Sequence, residues 1–224
     1  QGKRGEQIAE RVRDQVARVR EDTGVTRTLF ALDAPLGWPS ALGPALVSHT
    51  AGAPLPHRTD ALFRRRTDDV IHERLGRRPL EVGADRIARA AVEALRVLAS
   101  IATSLEEPVP LAWSPRFTGN AAIEVYPAAW LTVRGLPHRK YKRSDQRSVR
   151  EAIVKGILRA DVKRTHNGFE RLLLELPDVL DAALCVLSGR DFLRGCCLLP
   201  PPDCDLRGEG WAWVPDPELL GSQD

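Results

Sequence analysis

The ten residues Thr28–Gly37, TLFALDAPLG, constrain this chain more than any other stretch. Leu29–Leu32 form a short, almost continuously apolar run, the pattern of a strand buried on both faces of a parallel sheet. The run stops at a carboxylate, Asp33, and Pro35 and Gly37 then turn the backbone away from it. In open α/β sheets, ligands bind beyond the carboxyl ends of the strands, which is where Asp33 stands. Read alone, Asp33 serves equally well as the cap of the following turn.

Two further carboxylates shift that balance. Ala121–Tyr126 reads as a second buried strand with Glu124 inside it, and Pro127 ends it or opens a helix over Trp130 and Leu131. An ionised carboxylate inside a buried strand costs several kcal/mol unless a cation, metal or donor offsets it; the other reading is a strand with one wet face. Pro177 opens a helix through Val179, Leu180, Ala183, Leu184 and Leu187 that carries Asp178 and Asp181. Asp178 suits the helix dipole as a first-turn acid, whereas apolar residues surround Asp181. Asp33, Glu124 and Asp181 are hard oxygen donors from three distant places, the ligand chemistry of Mg²⁺ or Mn²⁺ rather than zinc. Such ions activate water and stabilise a leaving oxygen in phosphodiester cleavage.

The remaining segments are mostly helical. Ile8, Val12, Val16 and Val19 recur at helical spacing, a short helix fits 41–47, and a long one runs from Asp85 to about Ser104 along Ile87, Ala91, Leu95, Leu98 and Ala102. Ser148-x-x-Glu151 has the form of a capping box ahead of a helix reaching Ala160. The tail GEGWAWVP reads as a final strand or flap closed by Trp211 and Trp213 rather than a base-stacking platform, because its neighbours are acidic. The basic residues are unevenly spread: Arg134–Arg171 holds twelve Lys or Arg against four acids. On that footing Arg66, Lys142, Arg147 and Arg150 are candidate phosphate contacts, although charged helix faces are as often merely solvated.

With 224 residues the chain can bury a full core, and a single domain over 1–224 is expected. No window approaches a membrane span, so a cytoplasmic location is expected. Cys185, Cys196, Cys197 and Cys204 include no Cys-x-x-Cys pair and have no nearby histidine, which argues against zinc and for thiols. A G-x-S-x-G elbow, a P-loop, a G-x-G-x-x-G and a H-E-x-x-H are all absent.

Six blocks in order, ALDAPLGWP (Ala31–Pro39), RRTDD (Arg65–Asp69), EVYPAAWL (Glu124–Leu131), YKRSDQRSVRE (Tyr141–Glu151), LPDVLDAALC (Leu176–Cys185) and GEGWAWVP (Gly208–Pro215), resemble the domain of unknown function family numbered 429. Its members are predicted to be ribonuclease H-like nucleases. The resemblance implies an α/β fold with a mixed sheet flanked by helices, a helical insertion at about 40–107 after the Asp33 strand, and a core that resumes at about 121–215. It places Asp33 at the end of the fourth core strand, Glu124 on the fifth, and Asp178 and Asp181 on the last core helix. It implies a metal-dependent nuclease or phosphoester hydrolase with Asp33, Glu124, Asp178 and Asp181 as catalytic residues and nucleic acid or a nucleotide phosphate as partner. A non-catalytic nucleic-acid-binding module on the same fold is the alternative. The family opens with a strand carrying an Asp, and nothing before Ile8 matches it. The expectation is therefore either that the native start lies upstream of Gln1 or that the metal cluster is incomplete and the chain inactive.

Overall fold

A computed structural model describes residues 2–47, 49–56, 58–83, 85–159 and 168–220. Among them the strand order is β1 (Thr28–Leu32), β2 (Asn120–Val125), β3 (Ala212–Trp213), all parallel. Leu32 lies opposite Glu124, and Glu124 opposite Ala212, so the three strands end level with one another. Helices flank this small sheet, which makes the chain α/β; no antiparallel strand of the expected mixed sheet occurs among the described residues. β2 is central and every residue of it is buried. β1 is an edge and every residue is half-buried; Leu29 and Ala31 pack against the core on one face of the sheet and Phe30 and Leu32 against the core on the other, so both faces have apolar cover and the strand is less buried than expected.

Alternation along β2 divides the core in two. Ala121, Ile123 and Val125 pack with Phe192, Trp211 and Trp213, while Ala122 packs with Leu36, Ala94 and Leu98 on the opposite face. The first face is covered by α9 (Pro177–Leu193), which seats closely on β1 because Gly189 lies over it: an added Cβ would touch Leu29 and Ala31 at 3.6 and 3.7 Å. Behind α9, the helices α6 (Pro127–Val133), α7 (Arg147–Arg159) and α8 (Phe169–Glu175) form a second cluster around Trp130, Ile153, Ile157, Leu173 and Leu180. Helix α7 begins at Arg147, one residue before the expected Ser148 cap, and Glu151 accepts from Arg147 Nε at 3.2 Å. Ala160, Lys163 and Arg164 lie outside the described residues.

The second face is covered by the long helix α5 (Asp85–Leu105), against which α1 (Gly2–Thr23) packs. Helix α1 buries Ala9 and Val16 and leaves Ile8 and Val19 each 40% exposed, so its buried stripe is narrower than the apolar spacing predicts. Between β1 and α5 run three short helices, α2 (Leu42–Val47), α3 (Thr59–Phe63) and α4 (Arg66–Leu75); a last turn, α10 (Pro217–Leu220), follows β3. The Trp211 indole donates to the Leu198 carbonyl at 3.0 Å, and the Trp213 ring meets Phe192 edge-on at 4.7 Å, so both tryptophans are interior anchors. No helix among the described residues is long and apolar enough to cross a membrane.

Candidate active site

The level ends of the strands open into a cavity of about 600 Å³, and Asp33, one residue past β1, stands at its edge. Across from it the loop after α6 brings Tyr141 and Lys142. The Lys142 ammonium pairs with Asp181 Oδ2 and lies 3.7 Å from Asp33 Oδ2. The Tyr141 hydroxyl donates to the other Asp181 oxygen at 2.6 Å. One cation thus sits between two carboxylates, one from a strand end and one from the second turn of α9. The loop is held in place by Arg150, 4% exposed, whose guanidinium donates to the carbonyls of Tyr141, Arg143 and Leu174, all at 2.7 Å.

This arrangement perturbs its own acid–base chemistry. Burial pushes the Asp33 carboxyl up to about 6; Lys142 pulls it back, while the charges of Asp181 and Glu124 add to the rise. Burial pulls the Lys142 ammonium down, but its hydrogen bond and charge contact with Asp181, then Asp33 and Asp178, more than reverse that and leave it raised. The Tyr141 hydroxyl is raised by burial and by donating to Asp181, so it stays protonated.

Glu124 shares the face of β2 that points towards Ala122 and α5, and that face is dry: the residue is 6% exposed. Its compensation is Arg65, immediately before α4 and 2% exposed. Arg65 Nη1 and Nη2 donate to Glu124 Oε2 and Oε1 at 2.8 and 2.7 Å, a bidentate fork. The same guanidinium donates to Asp68 at 3.1 and 3.3 Å and to the Glu209 carbonyl at 3.2 Å. Burial pulls the Arg65 guanidinium down, and the charges of Glu124 and Asp68 outweigh that, so it is held as a permanent cation. Glu124 Oε2 also accepts the Leu36 N–H at 2.9 Å, which fixes the turn that carries Asp33.

That turn is clamped a second time by Glu209, 7% exposed. Its Oε1 accepts from the Ser40 N–H and hydroxyl at 3.0 and 2.9 Å, and its Oε2 accepts the Arg66 N–H at 2.6 Å. Gly37 is required here, since a Cβ at that position would overlap the Glu209 carbonyl.

The structure brings Asp33, Asp181 and Lys142 together and places Glu124 beside them, but with both Glu124 oxygens held by Arg65. Glu124 is therefore a positioning residue rather than a metal ligand, a correction to the sequence reading. Arg150 is also corrected: buried on three carbonyls, it has no surface to offer a phosphate. Asp178 is exposed in the first turn of α9. Arg66 faces Glu73 and Asp203 at 3.5 and 3.4 Å, and Arg147 faces Glu151. Sequence reasoning missed Arg65, Tyr141 and Glu209. Arg65 and Tyr141 adjoin residues it chose, and Glu209 stands between two glycines, a context that suits close backbone approach.

Asp33 and Asp181 are hard donors that already share one cation, so their chemistry fits a single hard divalent ion taking the place of the half-exposed Lys142 ammonium. Among the described residues no group of three or more His, Cys, Asp or Glu side chains is arranged to hold a metal. In comparisons with known proteins, no curated protein and no solved structure matched. Residues 4–205 match the model of DUF429, described as a protein of unknown function, and the chain belongs to that family.

Proposed function

We propose that the chain is a phosphoester-processing enzyme of ribonuclease H-like type, acting on nucleic acid or a nucleotide phosphate in the cavity at the strand ends. The observation that carries this reading is the pair Asp33 and Asp181 sharing the Lys142 cation, with Asp33 and Lys142 lining a cavity of about 600 Å³ that Arg77, Arg78 and Lys140 also line. Carboxylates and cations lining one cavity suit an anionic phosphoester, whose phosphoryl oxygens the cations hold next to a base or a metal. A bound Mg²⁺ or Mn²⁺ ion held by Asp33 and Asp181 would supply a polarised phosphoryl oxygen and an activated water. Tyr141 keeps Asp181 oriented, and Lys142 holds Asp33 and Asp181 together until substrate or metal displaces it.

Hydrolysis of single-stranded DNA and RNA and of a chromogenic phosphodiester, with Mn²⁺ and with chelator, tests the reading. Activity is expected to need the metal and to fall at least about a hundredfold in Asp33→Asn and Asp181→Asn. Cleavage unaffected by both substitutions would overturn it. The alternative, a non-catalytic nucleic-acid-binding module, is favoured by one observation: Lys142 already occupies the cation position between Asp33 and Asp181 and offsets one of their two charges. Salt-sensitive binding of nucleic acid without turnover, in Lys142→Ala as in the wild type, would select that alternative.

A further inference from the structure

The cavity is more specific than a basic surface. Its lining at the strand ends includes Arg65, Glu124 and Asp68, one guanidinium shared between two carboxylates, so the cations that could hold an anionic ligand are other residues of the lining. The lining also has an apolar part in Pro79, Leu80 and Ile87, and Leu80 is 69% exposed. The same lining carries Arg77, Arg78 and Lys140, none of which has a carboxylate partner among the described residues. Arg77 is aimed rather than loose: its Nε donates to the Tyr126 hydroxyl at 3.1 Å and its guanidinium lies 5.5 Å from the centre of that ring. Its Nη groups have no hydrogen-bond partner among the described residues. His138, in the same lining, is pushed towards the neutral form by burial and by the charge of Arg77.

From this juxtaposition we infer that the cavity binds a single nucleotide unit, a nucleoside mono- or diphosphate, with the base against Leu80 and Ile87 and the phosphate on Arg77, Arg78 and Lys140. A volume of about 600 Å³ lies within the range of small-ligand sites, where an apolar wall takes the body of the ligand and a few charged groups fix its orientation. A polymer track would instead need cations strung along an open face, and the cations expected to supply one do not. Arg150 is buried on carbonyls, and Arg66 and Arg147 each face a carboxylate. The inference rests on the proposed phosphoester reading of the same site and narrows its substrate from nucleic acid to the monomer.

Titration calorimetry at low salt, with the four ribonucleoside monophosphates, the corresponding diphosphates, the four nucleosides, inorganic phosphate and a twelve-nucleotide single strand as separate ligands, tests this. At least one mononucleotide is expected to bind at least tenfold more tightly than inorganic phosphate and than its own nucleoside. Arg78→Ala and Leu80→Asp are each expected to weaken it about tenfold, the worth of one charge-assisted hydrogen bond or one apolar contact face. Both side chains are exposed, so thermal melts should show each variant folded. Inorganic phosphate binding as tightly as every nucleotide would overturn the inference, because the apolar part of the lining would then contribute nothing. If the oligonucleotide is cleaved while no monomer binds or competes, the inference fails and the phosphoester reading stands; if it is bound without turnover while no monomer binds, both fail in favour of the binding module. If neither monomer nor oligomer binds or reacts, both fail.

Discussion

Replacing Arg65 by methionine should unfold this protein more readily than almost any other single change near the site, and the structure says why. The side chain is 2% exposed and its guanidinium makes two bonds to Glu124, two to Asp68 and one to the Glu209 carbonyl. Methionine fills much of the same volume, so the cost is not chiefly a cavity. It is the burial of two carboxylates, 6% and 3% exposed, without their cation. Breaking a buried ion pair from one side costs about 3–5 kcal/mol, a large part of the roughly 5–15 kcal/mol that holds a typical domain together. For a chain of this size that is a fall in Tm of roughly 6–20 °C. Glu124→Gln should cost less, because Asp68 still answers Arg65 and the amide oxygen can still accept the Leu36 N–H. The double variant should recover part of the loss. Urea unfolding followed by the buried tryptophans measures all three. The stranded carboxylates would have folded-state pKa values raised above their unfolded ones, so the deficit of Arg65→Met should shrink as the pH is lowered towards 5. A loss below about 1 kcal/mol, or a deficit that grows on acidification, would refute the reasoning.

Asp33, raised from 3.8 to about 6, binds its proton more tightly folded than unfolded, so its contribution makes stability fall as the pH rises through that window. Asp33→Asn should flatten the urea midpoint between those pH values, and curves parallel to the wild type would count against the assigned shift. Gly37→Ala should push the Glu209 carbonyl off Arg65 and lower stability by about 1–3 kcal/mol in the same assay, while Gly43→Ala, with open space around it, should cost nothing by this route.

The apolar runs that carry the site were legible because a carboxylate interrupting such a run is visible in one dimension. Asp33 past Leu32, Glu124 inside β2 and Asp181 on α9 all stand in elements that the hydrophobic pattern predicts. What each carboxylate pairs with was not legible. Glu124 reads as a metal ligand until the chain folds and Arg65, 59 residues away, takes both its oxygens. Within Arg64-Arg65-Arg66 the inward guanidinium is decided by where α4 begins, and a shift of one residue separates Arg65 from the Arg66 that charge alone suggests. Arg150 reads as part of a basic helix face, yet its helix turns that position towards the carbonyls of a preceding loop. The edge position of β1 was hidden for a related reason, since covering helices and neighbouring strands demand the same apolar residues.

Glu209 ties the turn after Asp33 to the start of α4 from 169 and 143 residues further along the chain. Such contacts close late and slowly, because loop entropy must be overcome before they reward it. During synthesis, β1, β2 and α9 can dock while the Asp33 turn still lacks its clamp, and only when the Gly208–Trp213 segment leaves the ribosome can Glu209 reach Ser40 and Arg66. A nascent chain is therefore expected to carry its carboxylates in an unset geometry until that segment emerges, and to acquire the site when Glu209 docks.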